Sequence, residues 1–143
     1  MASKSNETWS AEEKEAMKEH AAEAKRSKAA AGKEADRQAC LDKIAAMAPA
    51  DRALAEQVHQ IVTAAAPELD VKTWYGMPAY AKDGKAVVFF QDAGKFKARY
   101  STLGFQDNAA LDNGTFWPTS FAVVSIDDAV AARIVELVKR AVN

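Results

Sequence analysis

Apolar side chains recur at helical spacing near both ends of the chain and at every second position through its middle. Cys40, Ile44 and Met47 stand at i, i+4 and i+7 and predict a short amphipathic helix that Pro49 ends. Leu54, Val58, Ile61, Val62 and Ala65 line one face of a second helix, with Asp51 as its expected cap and Pro67 closing it. The period then drops to two. Val71, Thr73 and Tyr75 alternate with Lys72 and Trp74, and the run 86–91, AVVFFQ, is continuously apolar, as a central strand is. Asp83-Gly84 between them is a two-residue hairpin signal. Asp92-Ala93-Gly94 marks another turn, and Phe96, Ala98 and Tyr100 alternate with Lys97, Arg99 and Ser101 as a strand with one wet face. A helical turn at 107–112, a turn at Asn113-Gly114 and a last strand from Phe116 to Val124 follow. Val130, Ile134, Leu137, Val138 and Ala141 form the most regular helical face, capped by Ser125 with Asp128. Helices before and after an antiparallel meander predict an α+β domain, with helices packed on one face of the sheet.

Residues 1–36 break this pattern. Ser10 and Glu13 have the spacing of a capping box, so a helix is expected from Ala11 to near Gly32. Its apolar face, Met17, Ala21 and Ala24, is too thin to predict firm docking. The expected organisation is a charged, helical or partly disordered leader at 1–36 and one α+β domain at 37–143.

Composition narrows the function classes. The chain has 143 residues, 19 Lys+Arg against 20 Asp+Glu, and a net charge of −1, so bulk charge makes no case for nucleic acid or an anionic membrane. Cys40 is the only cysteine, which excludes an intrachain disulfide and makes a cytoplasmic home the default. The N-terminus is polar and no run of the sequence approaches a membrane span, so no membrane partner is expected, and a monomer is the default state.

Candidate chemistry starts at the interruption Gly76-Met77-Pro78. Glycine reaches backbone angles closed to other residues and proline gives no N–H to a ladder, so a bulge or bend is expected there. Such a bend would turn Tyr75, Met77 and Tyr80, with Pro78, toward a common space. With a second bend at Trp117-Pro118 it would form an aromatic hollow for a small molecule or peptide. Lys97 and Arg99 could hold an anion at its mouth. The same aromatics would serve equally as packing around an edge strand. Glu12, Glu15, Glu19 and Glu23 share one face of the leader helix, with His20 beside them, and could bind a cation such as Fe²⁺. Equally, residues 1–37 carry 8 Lys+Arg and 8 Asp+Glu, the balance of an ordinary solvated helix. Cys40 and His59 fall on neighbouring helices, but Cys40 is on the predicted buried face and reads as a small hydrophobe. No nucleophile elbow, phosphate-binding glycine loop or H-E-x-x-H is present.

YGMPAY at 75–80, followed by a glycine turn and an apolar strand, resembles the YdhG-like family (YdhG/YdeI), a domain of unknown function. GTFWPTSF at 114–121 before a closing helix is similar to that family's C-terminal pattern. The likeness covers roughly residues 37–142. It implies a compact α+β fold and no established catalytic residues. For one branch it implies a frataxin-like iron chaperone role, in which Fe²⁺ would be cargo.

Overall fold

The computed structural model describes residues 9–27 and 32–143. The elements run α1 (Ala11–Ser27), α2 (Gly32–Ala45), α3 (Pro49–Ala65), β1 (Asp70–Trp74), β2 (Met77–Lys82), β3 (Lys85–Gln91), α4 (Ala93–Phe96), β4 (Ser101–Phe105), β5 (Ser120–Val123) and α5 (Asp128–Ala141). The five strands form one antiparallel sheet in chain order. The class is α+β with an N-terminal helix, as the pattern predicts.

The register sorts the sheet into two faces. Tyr80 pairs with Val88, Val88 with Phe105 and Phe90 with Leu103. All five side chains enter one core with Cys40 and Ile44 of α2, Val58 and Val62 of α3, and Ile134, Leu137 and Val138 of α5. These helices therefore cover one face. Burying side chains of this size stabilises by about 1.5–3 kcal/mol each. On the other face Trp74 pairs with Met77, and Ala79 with Phe89, which in turn pairs with Gly104. A Cβ at Gly104 would overlap the Phe89 ring, so glycine is what lets that ring lie across β4.

Several boundaries differ from the pattern reading, each for a local reason. Gly76-Met77-Pro78 is not a bulge. Tyr75 and Gly76, with φ of 52° and 79°, form a two-residue hairpin turn closed by Trp74 and Met77, and both positive angles suit a type I′ turn. Pro78 is tolerated because its nitrogen faces away from β1, and the pairing with β3 starts only at Ala79. The bulge lies instead opposite Tyr80/Ala81, where Val87 is the extra residue on β3. Asp83-Gly84 forms the expected hairpin turn, with Lys82 facing Lys85.

The strand predicted from Phe96 to Ser101 forms only from Ser101, where β4 begins; α4 ends at Phe96 and residues 97–100 form a turn and bend. Asp92 caps that helix by accepting from the Lys95 N–H, and Lys97, at φ 54°, ends it. The last strand is shorter than expected and leaves Trp117-Pro118 outside it. Residues 107–112 hold a turn rather than a helix. Asp127, not Ser125, caps α5, accepting from Val130 N–H at 2.8 Å. Pro49 opens α3 rather than merely ending α2, and Asp51 does not cap it. Its carboxylate accepts instead from Gly94 N–H at 3.0 Å.

The leader also departs from expectation. Its capping box is present, with Glu13 N–H donating to Ser10 Oγ at 3.0 Å and Ser10 N–H to Glu13 Oε1 at 3.2 Å. The helix stops at Ser27, and Gly32 begins α2. The 36/37 division expected from composition therefore falls inside a helix. The disorder expected within the leader concerns in part residues 1–8 and 28–31, which lie outside the described residues. Most important, α1 docks. Thin in apolar residues, it is held by polar groups across the β1–β2 turn.

Candidate functional site

Two adjoining features meet where α1 crosses the β1–β2 turn. The first is polar. Glu23, 3% exposed, accepts from the N–H groups of Tyr75 and Gly76, one on each carboxylate oxygen, both at 2.7 Å. Those donors project outward because a two-residue turn leaves its central N–H groups outside the ladder. Hydrogen bonds to a charged acceptor contribute about 1.5–3 kcal/mol each. One turn earlier on α1, Glu19 receives Lys95 Nζ on both oxygens at 3.1 and 3.0 Å, and Lys43 Nζ at 3.1 Å. A Cβ at Gly76 would overlap the Glu19 carboxylate and the Lys95 ammonium. Gly76 is thus required twice, for its backbone angle and for this close approach. Arg26 donates to Thr73 Oγ1 at 3.4 Å, and Glu12 meets Lys97 at 2.8 Å. The Lys97 ammonium beside Glu12 holds that carboxyl below its usual range, and Glu12 raises Lys97 in return.

The second feature is apolar. His20 lies flat on Tyr75, centroids 4.0 Å apart and planes within 9°. Tyr75 meets Trp74 edge-on at 5.0 Å, and Trp74 meets Phe89 at 5.2 Å, so four rings run from α1 onto the sheet. Beside them opens a cleft of about 470 Å³. Trp9, Ala16 and Met17 form its helix wall, Trp74, Tyr75 and Met77 its sheet wall, and Phe96 its end. Glu13, His20 and Gln91 are its polar groups. Trp9 and Met17 are 41% and 47% exposed, unusual for large apolar residues that already face a wall of aromatics.

The expected hollow is only partly assembled. Tyr75 and Met77 reach the cleft. Pro78 and Tyr80 do not; both are fully buried. Tyr80 points to the helix face, its hydroxyl 3.0 Å from His59 Nδ1. Trp117 packs against the core beyond the cleft, and Arg99 stacks on exposed Tyr100 at 5.0 Å. The cleft's α1 residues were missed because a helix with so few apolar positions gives no sign that it faces a partner. The Trp9 and Met17 pair was the available signal.

The acidic stripe is also redistributed. Glu12, Glu19 and Glu23 each hold a lysine or backbone amides, Glu15 is exposed, and His20 stacks on Tyr75 with Nδ1 3.5 Å from Glu23. Among the described residues no three His, Cys, Asp or Glu side chains converge as a metal set. Iron cargo on α1 would have to displace those partners.

Elsewhere, burial pushes the Cys40 thiol up to about 12, so thiolate chemistry is closed to it near neutral pH. Burial, then Arg37, lowers His59, which stands as a neutral partner for Tyr80. Among the described residues no helix is long and apolar enough to cross a membrane. Searches with this chain find no matching family model, no matching curated protein and no matching solved structure.

Proposed function

We propose that this chain is a binding protein whose ligand is a small aromatic or apolar molecule, or the apolar side chain of a peptide, seated between α1 and the sheet. The observation that carries this reading is the cleft itself. Its volume lies in the range of small-molecule sites, its walls are aromatic and thioether, and a few polar groups stand at fixed places. Methionines at 17 and 77 give the walls room to adapt. The one thiol is buried and its thiolate disfavoured, which supports binding over nucleophilic catalysis. We also propose kinship with the YdhG-like family. YGMPAY, the segment that carries the resemblance, supplies the turn and the first four residues of β2, of which Tyr75 and Met77 line the cleft.

A panel of uncharged aromatic fragments, followed by ligand-observed NMR, tests the reading. Binders should lose about tenfold in affinity, near 1.4 kcal/mol, in Met17→Glu and in Trp74→Ala. Met17 is half exposed, so its variant keeps the fold and separates binding from stability. Should no fragment bind at millimolar concentration, or should binders ignore both substitutions, the cleft is not a binding site.

A further inference from the structure

The carboxylates that fasten α1 and the groups that receive them belong to different parts of the chain. The hydrogen-bond donors to Glu23 and Glu19 come from the body of the domain: the Tyr75 and Gly76 amides, Lys43 on α2 and Lys95 on α4, with His20 of α1 itself 3.5 Å from Glu23. Both acceptors come from α1, whose buried apolar residue among those described, Ala16, lines the cleft and lies outside the main core cluster. The donor geometry is that of a receptor. Two neighbouring amides each meet a separate oxygen of one carboxylate at 2.7 Å, a bidentate fork. Two ammonium groups grip the second carboxylate at 3.0–3.1 Å. Both subsites meet at Gly76, where the missing side chain leaves the space that the second carboxylate and Lys95 fill.

We propose that the β1–β2 turn with Lys43 and Lys95 is a binding site for small dicarboxylates, which α1 fills with Glu19 and Glu23 as a tethered stand-in. Two separate carboxylate subsites of different kinds, amides for one and ammonium groups for the other, select a dicarboxylate over a single anion. A tethered competitor acts at an effective concentration of about millimolar, so a free dicarboxylate binds weakly until α1 lets go. The inference rests on other groups than the cleft reading, backbone amides and lysines rather than aromatic walls, although a dicarboxylate that releases α1 would also take away one wall of the cleft.

The test is a titration of the full-length Glu19→Gln/Glu23→Gln variant with succinate, and separately with acetate, followed by ¹⁵N–¹H NMR. Succinate should shift the Tyr75 and Gly76 amides saturably, at least about tenfold more tightly than in the native chain, where the tethered carboxylates compete. Acetate should bind at least about tenfold more weakly than succinate, and adding Lys43→Gln and Lys95→Gln should abolish the response. Two results overturn the proposal: dispersed core resonances with no saturable shift at these amides, or equal response to acetate and succinate. Should the double variant fail to fold, the native chain carries the test. Succinate at tens of millimolar should then shift the same two amides while an equal ionic strength of sodium chloride does not, and identical effects of the two salts would sink the idea.

Discussion

At the scale of single residues, Gly76 answers what the glycine in YGMPAY is for. Its positive φ belongs to the turn, and the space over its Cα belongs to Glu19 and Lys95. Gly84 makes the comparison that separates the two roles. Its φ, 81°, is nearly the same, but nothing stands within 4 Å of a Cβ placed there. Gly84→Ala should therefore cost only the left-handed backbone, about 1 kcal/mol. Gly76→Ala should cost more, about 2–3 kcal/mol, because the new methyl also parts an ion pair. Urea unfolding of both variants decides it, and equal losses would mean that the Glu19–Lys95 contact adds nothing. The turn was legible in part. Glycine and proline flagged an irregularity, but Tyr75 at φ 52° is a residue that seldom adopts that region, so spacing alone could not put it in the turn. The same misplacement explains Tyr80. Met77 and Tyr80 are three apart in one strand, and an odd separation sends them to opposite faces.

At the scale of elements, the strands, the core helices and the α1 capping box could be read from periodicity and cap chemistry, which are local. What holds α1 could not. Glu23 finds its partners 52 and 53 residues away, Glu19 finds Lys95 76 residues away and Lys43 on the next helix, and a stripe of glutamates looks the same whether it faces water or lysines. A helix fastened by charge rather than apolar area should respond to salt. The exposed Glu12–Lys97 pair is screened first, and the Glu19 pairs, 14–42% exposed, less. Raising sodium chloride from about 0.05 to 1 M shortens the Debye length from above 10 Å to about 3 Å. Hydrogen exchange at the Tyr75 and Gly76 amides, sheltered by Glu23, should then quicken severalfold, while core amides such as Val88 and Phe90 keep their rates. Parallel acceleration everywhere would show loss of global stability rather than release of α1, and no change at the two turn amides would show that α1 stays docked without its ion pairs.

At the scale of the molecule, the question is what remains when α1 is removed. The hydrophobic core draws on α2, α3, α5 and the sheet, and its first member is Cys40. Ala16 and Glu23 are the buried residues of α1, and both lie at the turn or the cleft. A chain lacking residues 1–31 loses the Glu23 and Glu19 interactions. It also exposes two turn amides, which water can satisfy, and two lysines that prefer water. Among the described residues it loses no member of the main core cluster, so it should still unfold in one cooperative transition by near-ultraviolet circular dichroism. Its Tm should fall by roughly 10–20 °C, as a loss of about 3–6 kcal/mol does in a domain of this size. The cleft should fail outright, since Trp9, Ala16 and Met17 form one of its walls, and fragments that bind the full chain should bind the shortened one at least about tenfold more weakly. The two readouts separate two architectures. Cooperative unfolding with lost binding means that α1 is an attachment that completes a site on a self-sufficient domain. A shortened chain without a cooperative transition means that the polar contacts around Gly76 belong to the folding unit itself, and the boundary drawn from composition marks no physical division.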